Sequence, residues 1–107
     1  MISVVNLWTR LQVEPNLLIV DVRDVEEFAA GSIVGARNLS HDRAISELPT
    51  TLDPQRGVIL ICSFGQRSSS VCGALKRSGF TAAFFLDGGL DAWTRAGFPL
   101  AHRTRSP

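Results

Sequence analysis

The sequence predicts an α/β domain built on a mostly parallel sheet with helices on both faces. Three apolar runs, residues 17–22, 58–62 and 82–86, are bounded by turn-forming residues. Their continuous hydrophobicity, without in–out alternation, marks strands covered on both sides. Segments with helix start and stop signals lie between them, so strand and helix alternate along the chain. At 107 residues, 45% hydrophobic and 20% charged, the chain has material for one core. Residues 1–107 therefore read as a single domain, with about 101–107 as a frayed tail.

In chain order, residues 2–4 form a weaker strand candidate, followed by a short helix over 5–11 that closes before Pro15. The first apolar strand, 17–22, leads to a helix over 25–30, opened by Asp24 as N-cap and stopped at Gly31. A second weak strand, 36–39, precedes a helix over 42–48 that ends ahead of Pro49. After the strand 58–62 comes a helix over about 66–78, with Val71, Cys72 and Leu75 toward one side and Gly79 past its end. The last strand, 82–86, meets a Gly88-Gly89 turn, and a helix over 90–96 ends at Gly97. Sites in such sheets lie beyond the carboxyl ends of the strands, where Cys62 falls.

A formal net charge of +1 suggests neither a nucleic-acid nor a membrane-surface partner. No apolar stretch is long enough to span a bilayer, and the amino terminus lacks a secretion pattern, so a cytoplasmic setting is expected. There the two cysteines, Cys62 and Cys72, are expected as free thiols. No Cys-x-x-Cys or Cys/His cluster points to a metal, and no cofactor is implied.

Residues 58–68 read as a buried strand, a tight loop and a helix start. A thiol is a poor nucleophile until ionised, and its ordinary pKa is about 8.5. Unpaired amides at a helix N-terminus stabilise a thiolate, Arg67 would add a permanent cation, and Gly65 lets the loop curl. The same donors would bind a sulfur or oxygen anion beside Cys62. A lone cysteine is otherwise a small buried hydrophobe; the joint presence of a strand end, Gly65, Arg67 and Ser68-Ser69-Ser70 favours reactivity.

Cys62-Ser63-Phe64-Gly65-Gln66-Arg67-Ser68 resembles the active loop of rhodanese-like domains, in the form of the family's single-domain members. Asp21-Val22-Arg23-Asp24 running to Glu27-Phe28 and Gly31 is similar to the first family signature. Leu86-Asp87-Gly88-Gly89, Trp93 and Gly97-Phe98-Pro99 are similar to the closing one, so the resemblance covers about residues 2–100. It implies a five-stranded parallel sheet flanked by helices and a sulfurtransferase. In it Cys62 would take a sulfane sulfur as a persulfide, within a loop formed by Ser63, Phe64, Gly65, Gln66, Arg67 and Ser68. The donor would be a small sulfur-containing anion or a persulfide, and the acceptor a thiol, a protein or cyanide. One departure is plain: Ser32 and Val34 stand where the family usually has His and Pro. Altered packing and turn rigidity are expected there, with no effect on the nucleophile.

Other polar residues read as structural. Arg23 is expected to pair with Glu26 or Glu27, and Asp21 to cap nearby amides. Cys72 is expected to be buried rather than a resolving thiol, and His41 and His102 to lie on the surface. Trp8 and Trp93 should pack in or near the core, and Phe64 should shape the rim of the site. Two alternatives accompany sulfur transfer. One is a relay domain with little turnover on free thiosulfate. The other is a cysteine phosphatase or arsenate reductase, disfavoured because only four residues separate Cys62 from Arg67 and no aspartate stands as general acid.

Overall fold

The computed structural model describes residues 1–101. Ser3 accepts the Asn6 amide at 3.1 Å and opens α1, Val4–Val13. Strand β1, Leu18–Asp21, leads to α2, Val25–Ala30, where the Glu27 carboxylate reaches back to the Asp24 amide at 3.1 Å. Then follow β2 (Arg37–Asn38), α3 (His41–Thr51), β3 (Val58–Ile61), α4 (Gln66–Arg77), β4 (Ala83–Phe85) and α5 (Gly89–Arg95). Helix α4 ends with the Gly79 amide on Lys76 O at 3.1 Å and the Phe80 amide on Leu75 O at 3.0 Å. Helix α5 ends with the same pair of bonds, Gly97 to Thr94 and Phe98 to Trp93.

The sheet has the order β2-β1-β3-β4, and every pairing is parallel. Strand β1 runs beside β3 from Leu18–Val58 to Asp21–Ile61. The strand side chains alternate between two apolar layers. Val20, Val58 and Leu60 pack with Ala44 and Leu48 of α3 and Val71, Cys72 and Leu75 of α4. Ile19, Ile59 and Ile61 face the other way, toward Leu7 of α1, Phe28 of α2 and Leu90 and Trp93 of α5. Trp8 stacks on Phe98 at 4.8 Å between ring centroids beside Trp93, so both tryptophans belong to this second layer. Among the described residues, no helix is long and apolar enough to cross a membrane.

Three expectations are corrected. Among the described residues the sheet has four strands, and the fifth is reduced to a single parallel bridge between Ile2 and Leu86, because Ser3 immediately caps α1. Helix α3 runs through Pro49 to Thr51. Its last turn is closed by the Thr50 and Thr51 hydroxyls on Glu47 O, at 2.8 and 2.9 Å, and by the Leu52 amide on Leu48 O. Ala101 is held in an antiparallel bridge to Ser32, at 3.0 and 2.7 Å, so the chain is still tied at that point. The remainder of the expected tail, with His102, lies outside the described residues.

Candidate active site

Strand order reverses between β1 and β3: β2 lies on one side of β1, and the chain returns to the other side to form β3 and β4. A crevice opens at such a reversal, beyond the carboxyl ends of the strands. The residues there are Asp21 at the end of β1 with Val22 and Arg23 after it, and Cys62 after β3.

Cys62 is only 2% exposed. Its Sγ accepts the amides of Gly65 at 3.1 Å and Ser68 at 3.4 Å, and lies 3.3 Å from the Ser68 hydroxyl. The curl that brings the Gly65 amide to sulfur requires φ +101° at Gly65, a left-handed conformation that side chains disfavour. Burial pushes the Cys62 thiol up, but hydrogen bonds from the Ser68 hydroxyl and the amides of Ser68, Gly65 and Phe64 outweigh it. The thiol therefore sits below its ordinary range. The buried Ser68 hydroxyl also reaches Gly65 O at 3.2 Å. Having one proton, it can donate to only one of the two at a time. The amides of Gln66 and Arg67, which open α4, have no backbone acceptor among the described residues.

A second helix start holds the loop from behind. The Leu90 amide donates to Cys62 O at 2.8 Å and the Asp91 amide to Ser63 O at 2.9 Å. A Cβ on Gly89 would lie 2.6 Å from Cys62 O and from Ser63 C and O, so the approach needs a glycine. The Gly88-Gly89 turn thus borders the cysteine loop as well as linking β4 to α5.

Arg67, expected as a permanent cation at the loop, is engaged in an ion pair. Its guanidinium forms a two-point pair with Glu27 at 2.9 and 3.1 Å, and also meets Ser63 Oγ at 3.3 Å. Ser63 Oγ in turn lies 3.4 Å from the Glu27 carboxylate. The Arg67 hydrogen bonds hold the Glu27 carboxyl at about 2. Phe64 is 65% exposed beside the nucleophile, and Gln66 is also exposed. Glu27 is the partner of Arg67 that sequence reasoning missed. It was expected beside Arg23, and its actual partner is 40 residues away.

Arg23 pairs with Asp21 at 2.8 Å rather than with Glu26 or Glu27, and donates to Gly31 O at 2.6 Å. Asp21 is wholly buried and also accepts the Arg23 amide at 3.0 Å and the Ser32 hydroxyl at 2.6 Å. Ser32 thereby fills its position with a short hydrogen bond, while Val34 is exposed. Cys72 is buried on α4, its Sγ donating to Ala83 O at 3.2 Å, and burial pushes its thiol up. His41 is half-exposed at the start of α3, with Nδ1 2.9 Å from Asp42 and Nε2 3.3 Å from the Ser70 hydroxyl.

The rhodanese-like domain family model matches residues 4–96. The chain is 33% identical over 89 residues to the thiosulfate sulfurtransferase GlpE of Pseudomonas putida, covering 83% of this chain and 79% of the relative. The enzyme of the same name from Ectopseudomonas mendocina is 37% identical over 82 residues, 77% of this chain and 73% of that one. Among solved structures, a rhodanese-like domain from Anabaena superposes with TM-score 0.86 at 27% identity, over 100% of this chain and 83% of that one. A rhodanese-like domain protein from Staphylococcus aureus gives 0.81 at 29% identity, over 96% and 97%.

Proposed function

The chain belongs to the rhodanese-like domain family, and on that premise we propose that it is a sulfurtransferase whose nucleophile is Cys62. The observation that carries the proposal is the convergence of the Gly65 amide, the Ser68 amide and the Ser68 hydroxyl on one sulfur. Those donors favour a thiolate, the reactive form. The thiolate attacks the outer sulfur of thiosulfate or a persulfide. The donor's S–S bond breaks, its electron pair leaves on sulfite or on the donor thiolate, and Cys62 becomes a persulfide anion.

The loop from Ser63 to Ser68 binds that anion, with the amides of Gln66 and Arg67 available to the added sulfur. An acceptor thiolate or cyanide then attacks the outer sulfur, and the electron pair returns to Cys62. This is covalent catalysis with two half-reactions, and ping-pong kinetics follow from it. The whole chain acts as one such domain, and a reducing cytosol suits its two free cysteines.

The test is intact-protein and peptide mass spectrometry after incubation with thiosulfate and, separately, with a low-molecular-weight persulfide. The expected result is one added sulfur on Cys62, released by cyanide. A Cys62→Ser protein that still transfers sulfur at the wild-type rate rules the proposal out.

A further inference from the structure

Resting on the sulfurtransferase reading, the position of Glu27 bears on which donor the site prefers. Sulfur donors differ in charge. Thiosulfate is a dianion, whereas thiosulfonates and alkyl persulfide anions carry one negative charge. A free guanidinium at the loop would favour the dianion. Here the guanidinium is occupied: Glu27 takes Nη1 and Nη2 at 2.9 and 3.1 Å, and Ser63 Oγ takes Nη2 again. The two side chains are equally exposed, at 37%, so the pair lies at the edge of the loop, where a donor would approach. The Cys62 thiolate and, after it, Asp24 at the start of α2 also attract Arg67. Beside the paired guanidinium, the groups that receive a donor are amide dipoles and the Ser68 hydroxyl, which act at short range and carry no net charge.

We propose that Glu27 is a specificity-determining residue that neutralises Arg67 and so biases the cysteine loop toward sulfur donors with one negative charge over the dianion thiosulfate. Thiosulfate and methanethiosulfonate isolate charge from chemistry. In both, the Cys62 thiolate bonds to the outer sulfur and the donor S–S bond breaks. The pair departs on sulfite, with two charges, or on methanesulfinate, with one, so each equation balances with a Cys62 persulfide anion.

The experiment measures kcat/KM for both donors with wild-type protein, Glu27→Gln and Arg67→Gln, at low and high salt. In Glu27→Gln the thiosulfate-to-thiosulfonate ratio should rise about threefold or more at low salt, mainly through a lower KM for thiosulfate, and shrink at high salt. In Arg67→Gln, which leaves the Glu27 carboxylate uncompensated, the ratio should fall; this opposite sign is not expected of a merely structural pair. The double variant should restore a ratio near that of wild type. A ratio that stays constant across the variants, or moves the same way in both single ones, overturns the inference while leaving sulfur transfer intact. If Glu27→Gln fails to fold, Glu27→Ser takes its place, with the same rise in the ratio expected. If neither donor adds sulfur to wild-type Cys62, the sulfurtransferase reading falls and takes this inference with it.

Discussion

At the scale of single residues, the nucleophile and the buried carboxylate both depend on serine hydroxyls. Ser68 contributes two of the donors around Cys62 Sγ, its amide and its hydroxyl. Ser68→Ala keeps the amide and removes the hydroxyl, so the Cys62 thiol rises toward its ordinary range. The pH midpoint of Cys62 alkylation by iodoacetamide should then move up, with the rate at neutral pH reduced about threefold or more. An unmoved midpoint would assign the thiolate to the amides alone. Ser32 has the same relation to Asp21, a wholly buried carboxylate that it meets at 2.6 Å. Ser32→Ala leaves part of a buried charge unsatisfied and should cost about 1.5–3 kcal/mol in urea unfolding. The substitution of Ser32 for the family's usual His was legible in sequence as a departure. Its compensation was not, because the hydroxyl's partner lies 11 residues back on another element.

Secondary-structure elements position the site by their ends. Helix α4 supplies the donors on sulfur, and α5 holds the carbonyls of Cys62 and Ser63 from behind. Gly89→Ala forces a Cβ to within 2.6 Å of that backbone at φ +63°, so the loop must move while the strands need not. Sulfur transfer should fall at least about tenfold, since small displacements of reacting atoms are costly, with far-UV circular dichroism close to wild type. Helix α2 is joined to the loop through Glu27, whose carboxyl lies at about 2 instead of the ordinary 4.5. A depressed carboxyl contributes stability above its unfolded pKa and loses it as pH falls through the folded one. Wild type should therefore exceed Glu27→Gln in urea stability by a constant, small margin, under about 1 kcal/mol for so exposed a pair. That margin should be flat above about 4.5 and fade toward about 2. Of these elements, the strand–loop–helix unit around Cys62 was legible, because a four-residue run of buried apolar side chains, a glycine and a polar helix start are local signals. The α2 tie and the α5 clamp are long-range contacts, so local pattern carries no trace of them.

For the whole molecule, the parallel sheet was legible because both of its faces are covered, which writes the central strands as unbroken apolar runs. Its edges were not. Strand β2 has only two residues and the first expected strand survives as one bridge, since edge segments bury little and show no apolar run. The same two-sided burial predicts how the protein unfolds. Leu7 and Leu75 are wholly buried in opposite layers, and truncating either to alanine should cost about 2–5 kcal/mol. Both tryptophans lie in the layer of Leu7, so fluorescence reports that layer, while circular dichroism reports the whole backbone. The layers share β1 and β3, whose alternate side chains enter each, so neither can melt without unpairing the strands that support the other. Leu75→Ala should therefore lower the urea midpoint by about 1.5–3 M in fluorescence and in circular dichroism alike, although no tryptophan belongs to its layer. A fluorescence transition that stays at the wild-type midpoint while the dichroism shifts would mean that the two layers unfold independently, and that the sheet separates them rather than coupling them.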